Sequence, residues 1–87
     1  PNSIKISHYK SKWGSCSFTG NLTFNWKIIF APLEIIDYLV VHELCHLEHH
    51  NHSQKFWEKV GMFDKDYQIN RKWLKENSIY LMKKLTL

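Results

Sequence analysis

Eighty-seven residues, 44% hydrophobic and 15% aromatic, make one small domain with large side chains to bury, which excludes a disordered or multidomain chain. The net charge of +4, with eight acidic residues interspersed among twelve Lys/Arg, reads as a solvated surface and supports nucleic-acid binding only weakly, because that wants clustered charge. No apolar run approaches the ~18 residues of a membrane span and no signal peptide opens the chain, and Cys16 and Cys45, lacking CxxC spacing, fit a reducing cytoplasm.

The chain begins at Pro1, without Met, directly in strand-like sequence, which reads as a piece of a longer protein. Ile4 to Tyr9 alternates apolar and polar residues and predicts a half-buried strand. Ser17 to Asn21 carries turn chemistry, with Gly20-Asn21 as a hairpin signal, and Leu22 to Trp26 alternates again. The expectation is a small antiparallel sheet over residues 4–26, with a third short strand around Trp13 to Phe18.

Pro32 marks a helix start, where its missing N–H costs nothing, and Glu34 favours the positive end of the dipole. From Leu33 to about His49 there is no Gly, no Pro and no turn cluster. Ile35, Ile36, Leu39, Val40, Leu44 and Leu47 make this helix apolar around most of its girth, which predicts burial. A break is expected near Asn51, which tolerates the left-handed conformation. Ser53 can cap a second helix carrying Phe56, Trp57 and Val60 and stopped by Gly61; Asp64 can cap a third with Tyr67, Trp73 and Leu74 facing inward. Whether the third runs through Asn77-Ser78 to Leu85 is open.

The chemistry concentrates in HELCHLEHHNHS, residues 42–53. His42 and His46 are four apart on the predicted helix, a rotation of about 400°, so both leave one face a turn apart and can converge on one ion. Glu43 borders that ion, where a carboxylate can take a proton from a coordinated water. The pattern is HExxH, the helical zinc-hydrolase arrangement. In a chain with six His, chance would produce it far less than once.

A catalytic zinc wants a third protein ligand and one open position. His50 lies about 12 Å along the axis from His42, too far to share an ion, and His49 would point past it. Both then read as solvent-facing. His52 lies beyond the break, so the chain can turn and bring it back. A carboxylate, Glu58 or Glu76, is the rival. Neither cysteine has ligand spacing to the histidines, which argues against zinc as a purely structural staple. Tyr67, Arg71 and His8 are candidates to steady an oxyanion.

Several separate motifs recur in order with this stretch: Lys12 to Ser17 (KWGSCS), Asn25-Trp26, Ala31-Pro32, Ile36 to Leu47 (IDYLVVHELCHL), Asn51-His52-Ser53, Phe56-Trp57, Asp66-Tyr67 and Arg71 to Leu74 (RKWL). Together they resemble the YgjP-like metallopeptidase domain family, related to the SprT-like and minigluzincin zinc peptidases. The match runs from about Ile6 to Leu74. Lys12 stands where the family usually has Arg, and Lys65 where it often has Pro; the tail from Asn77 lies outside the resemblance.

The resemblance implies that His42, His46 and His52 are zinc ligands and Glu43 the general base. It also implies that Trp13 to Cys16 forms the strand beside the metal cleft, along which a substrate strand adds. The expected fold is an α+β minimal zincin-like domain: a small antiparallel sheet packed on a buried HExxH helix, with two further helices. The expected function is zinc-dependent hydrolysis of a peptide or protein substrate. The alternatives are a non-catalytic zinc-stabilised binding module and an amidase acting on a non-peptide substrate.

Overall fold

A computed structural model describes residues 1–9 and 11–84. Three strands, β1 (Ser3–Ser7), β2 (Gly14–Cys16) and β3 (Asn21–Asn25), are followed by a 3-10 helix (Trp26–Phe30) and three α-helices: α1 (Leu33–Cys45), α2 (Gln54–Phe63) and α3 (Tyr67–Met82). The α+β architecture built on the HExxH helix is as expected. The sheet is not wholly antiparallel.

Strand order is β1-β3-β2, with β2 antiparallel to β3 but β1 parallel to it. The hairpin signal joins β2 to β3. Gly20 N–H donates to Ser17 carbonyl and Ser17 N–H to Asn21 carbonyl, both at 3.0 Å, and Gly20 holds φ at 85°, a left-handed conformation that costs glycine little. Strands β1 and β2 flank β3 on opposite edges, so the chain changes sides of β3 between them, which makes β1 parallel. Buried Asn25 fixes this crossing: its amide donates to the carbonyls of Tyr9 (3.2 Å) and Lys12 (3.0 Å), and its side-chain oxygen accepts from Lys27 N–H (3.1 Å).

Register explains a second departure. Ile4 and Ile6 stand opposite Leu22 and Phe24 on one face of the sheet. Leu22 and Phe24 are buried, whereas Ile4 and Ile6 are over 60% exposed. The helical layer covers β3 and β2 and stops short of β1, so the alternation marks a face without guaranteeing its burial.

Helix α1 starts where expected, with Pro32 carbonyl accepting from Ile35 N–H at 2.9 Å, but ends at Cys45, one turn early. Its buried side carries Ile35, Tyr38, Leu39, Glu43 and Cys45. Leu33, Val40 and Leu44 form an exposed stripe, so the helix is less enclosed than its composition implies. Ser53 caps α2, its hydroxyl accepting from Phe56 N–H at 3.3 Å.

Gly61 does not stop α2, which runs to Phe63; a Cβ there would come within 3.3 Å of the Tyr67 ring, so the glycine admits a close approach. Asp64 terminates α2 rather than capping α3, and braces the corner by accepting from Asp66 N–H and the Asn70 amide. Helix α3 passes through Asn77 and Ser78, whose side chains bond back to the carbonyls of Trp73 and Leu74. The helix ends at Met82, with Lys83 N–H closing on the Ile79 carbonyl, and Leu85 lies outside the described residues. Buried Lys27 donates from its ammonium to the Met82 carbonyl, a favourable place for a cation at the end of α3. No described helix is long and apolar enough to cross a membrane.

Candidate metal centre

Tyr38, His42 and His46 follow one another at four-residue intervals, so they form a row along α1. His46 caps the helix in the αR conformation, and residues 46–48 leave it as turns. A continued helix would use the His49 carbonyl for a backbone N–H further on. Here that carbonyl accepts from His46 Nδ1 at 2.9 Å. The chain therefore curls at His46 and returns His52 to the row.

Three ring nitrogens converge. His52 Nε2 lies 3.1 Å from His46 Nε2 and 3.2 Å from His42 Nε2, and the donor atoms of this group all fall within 4.8 Å of one another. Zinc–nitrogen bonds of about 2.0–2.1 Å in tetrahedral geometry put ligand nitrogens about 3.3 Å apart, so the group fits such an ion. The His49 carbonyl can only accept, so His46 carries its proton on Nδ1 and turns a lone pair inward from Nε2. His42 Nδ1 meets the Tyr38 hydroxyl at 3.3 Å, which allows the same tautomer.

Helix α2 supplies the wall. Phe56, fully buried, stacks on His46 with ring centroids 4.3 Å apart, and Trp57 stacks on His52 at 5.7 Å. Burial is the main reason that His42 has its pKa lowered to about 3, helped by the positive fields of His46, His52 and Arg71. His52 is lowered for the same leading reason, with His46 and Arg71 adding. His42 and His52 thus favour the neutral imidazole, the protonation state a metal requires.

Glu43 is buried, with 5% of its surface exposed. Burial raises its pKa to about 7, against the pull of Lys12. It shares a cavity of about 210 Å³ with His42, Tyr38, Leu39, Trp13, Gly14 and Leu74. Strand β2 closes on this carboxyl: a Cβ on Gly14 would sit 3.0 Å from Glu43 Oε2. Trp13 is tied to α3 by its indole N–H, which donates to Ser78 Oγ at 3.0 Å. A carboxylate poised near neutrality can accept and return a proton.

The rival ligands stand apart. Glu58 accepts from the Gln54 amide at 3.2 Å, and exposed Glu76 faces Lys72 at 4.0 Å; neither joins the histidine group among the described residues. His49 and His50 are half-buried rather than solvent-facing, the latter packed 4.5 Å from the Phe18 ring at the hairpin tip. Cys45 is buried in the core and Cys16 half-buried, with both thiols pushed up chiefly by burial. Neither cysteine joins the cluster.

Of the oxyanion candidates, Tyr67 and Arg71 lie by Trp57, whereas the Nδ1 of His8 is engaged by the Trp26 indole N–H at 3.0 Å. Tyr38 is missing from the site residues expected from the sequence, and Gly14 enters there only as part of the strand beside the cleft, without a role of its own. The signals were present: a hydroxyl one turn before the first histidine, and a glycine inside a strand.

Three comparisons bear on this site. The sequence pattern of the family described as YgjP-like, metallopeptidase domain, matches residues 1–77. The crystal structure of the metallopeptidase zymogen of Pyrococcus abyssi abylysin is similar in fold, with a TM-score of 0.66 and 23% identity over 85% of this chain and 76% of that one. No curated protein sequence matches the chain.

Proposed function

The chain belongs to the YgjP-like metallopeptidase domain family, and on that premise we propose that residues 1–87 form one zinc-dependent peptidase domain with Glu43 as general base. The observation that carries this reading is the convergence of three Nε2 atoms beside a buried carboxyl near neutrality. His42, His46 and His52 would hold the ion. Bound zinc supplies a Lewis acid that polarises a carbonyl and makes water acidic near pH 7.

The chain's own residues do the rest. Tyr38 and the His49 carbonyl orient two of the imidazoles. Phe56 and Trp57 exclude water from one side. Strand β2 pairs only with β3 among the described residues, leaving an edge beside Glu43 along which an extended peptide can add. Glu43 then takes the proton of the attacking water and delivers it to the leaving amine.

The test is Glu43→Gln in the zinc-loaded protein, assayed on a peptide mixture by mass spectrometry. Activity should fall by about 10²–10⁴-fold with zinc content unchanged. Equal cleavage by the variant, or none by the parent chain, would defeat the proposal.

A further inference from the structure

Beside the metal centre, on the far side of Trp57, lies an open cleft of about 390 Å³ lined by Gln54, Trp57, Glu58, Tyr67, Gln68 and Arg71. The guanidinium of Arg71 sits 4.9 Å over the Trp57 ring. That ring is stacked on Tyr67 at 5.5 Å and on His52 at 5.7 Å. Arg71 is thus positioned by aromatic stacking, and no carboxylate pairs with it among the described residues. Glu58 lines the same cleft but bonds to Gln54. A stacked guanidinium keeps its planar fork for a carboxylate, a geometry an ammonium lacks.

We propose that Arg71, seated on Trp57 next to His52, binds a carboxylate of the substrate and makes the centre selective for peptides that present one there. This rests on the peptidase reading and adds to it the chemistry of the substrate. The carboxylate has two possible sources, an acidic side chain or the peptide's own C-terminus. Arg71 would be a specificity residue, distinct from any group that handles the reacting atoms.

The experiment uses the zinc-loaded full chain carrying Glu43→Gln, so that probes bind without turnover. The probes are a blocked alanine peptide with a central Glu, its Gln twin, and an alanine peptide with a free C-terminal carboxylate. Tryptophan fluorescence gives each dissociation constant, alone and with Arg71→Gln or Arg71→Lys added. A carboxylate probe should bind about tenfold or more tighter than the Gln twin, the scale of a charge-assisted hydrogen bond. Arg71→Gln should erase that advantage and Arg71→Lys should reduce it.

Which carboxylate probe gains identifies the source. No advantage over the Gln twin, an advantage that survives Arg71→Gln, or no binding by any probe would each overturn the proposal. Cleavage of the Gln twin by the parent chain, without any carboxylate advantage, would sink this inference and leave the peptidase reading standing. An Arg71-dependent advantage with no cleavage of any probe would do the reverse.

Discussion

At the residue scale, the centre depends on which nitrogen of each histidine points inward. His46 is oriented by a backbone carbonyl, so the identity of residue 49 matters little, while His42 relies on the Tyr38 hydroxyl. His42→Ala, His46→Ala and His52→Ala should each lose tight zinc binding; His49→Ala and His50→Ala should retain it. Metal content after dialysis decides this, and full retention in His52→Ala would discredit the assignment. Tyr38→Phe should keep the fold and the metal but weaken zinc affinity about 10-fold, the lower end for a lost partner of a ligating histidine. Competition against a chelator of known affinity reads that loss, and an unchanged affinity would mean that packing alone orients His42.

At the element scale, β2 matters more than its three residues suggest. Its glycine lets the strand approach Glu43, and Asn25 and Trp13 anchor the segment that leads into it. Gly14→Ala forces a methyl group against the Glu43 carboxyl, so either strand or side chain must shift a few tenths of an ångström. The expected result is a stability loss of about 1 kcal/mol, ordinary for a point substitution, with hydrolysis falling further than zinc binding. Denaturant titration and kinetics on the same preparation compare the two. Full activity would mean that the Glu43 position tolerates the displacement.

These elements were legible to different degrees, for physical reasons. The α1 start and the HExxH row follow from proline chemistry and helical period, which are local. The return of His52 was suggested by Asn51, but what turns the chain is a ring-to-carbonyl bond at His46, which no propensity records. The direction of β1 was missed because alternation assigns faces and says nothing of neighbours. Ile4 and Ile6 have the pattern of buried residues and lie where the helices do not reach. Asp64 falls between two helices: its backbone N–H closes α2 on the Val60 carbonyl, while its carboxylate accepts from Asp66 N–H and the Asn70 amide instead of a first-turn N–H of α3. Arg71 stood out only as one of three oxyanion candidates, because its relation to Trp57 exists only after α2 and α3 pack.

At the scale of the whole molecule, the site and the fold are linked through protons. His42 is lowered from 6.5 to about 3. Without metal, the unfolded chain therefore takes up that proton first, and stability is lost as pH falls from 6.5 toward 3. Lowered His52 acts in the same direction. Glu43 is raised from 4.5 to about 7, so its contribution is whole below 4.5 and lost as pH rises through 7. In chelated protein, Glu43→Gln should therefore raise the melting temperature at pH 8 relative to the parent and leave it nearly unchanged at pH 4.5. Thermal melts at the two pH values check this; an equal shift at both would show that the Glu43 charge is not what burial penalises.

The central claim, an open three-histidine zinc centre, is tested most directly by zinc-edge X-ray absorption on the loaded chain. The account predicts about three imidazole nitrogens and one further oxygen ligand at about 2.0–2.1 Å, with no sulfur. A sulfur shell at about 2.3 Å, or fewer than three imidazoles, would contradict it.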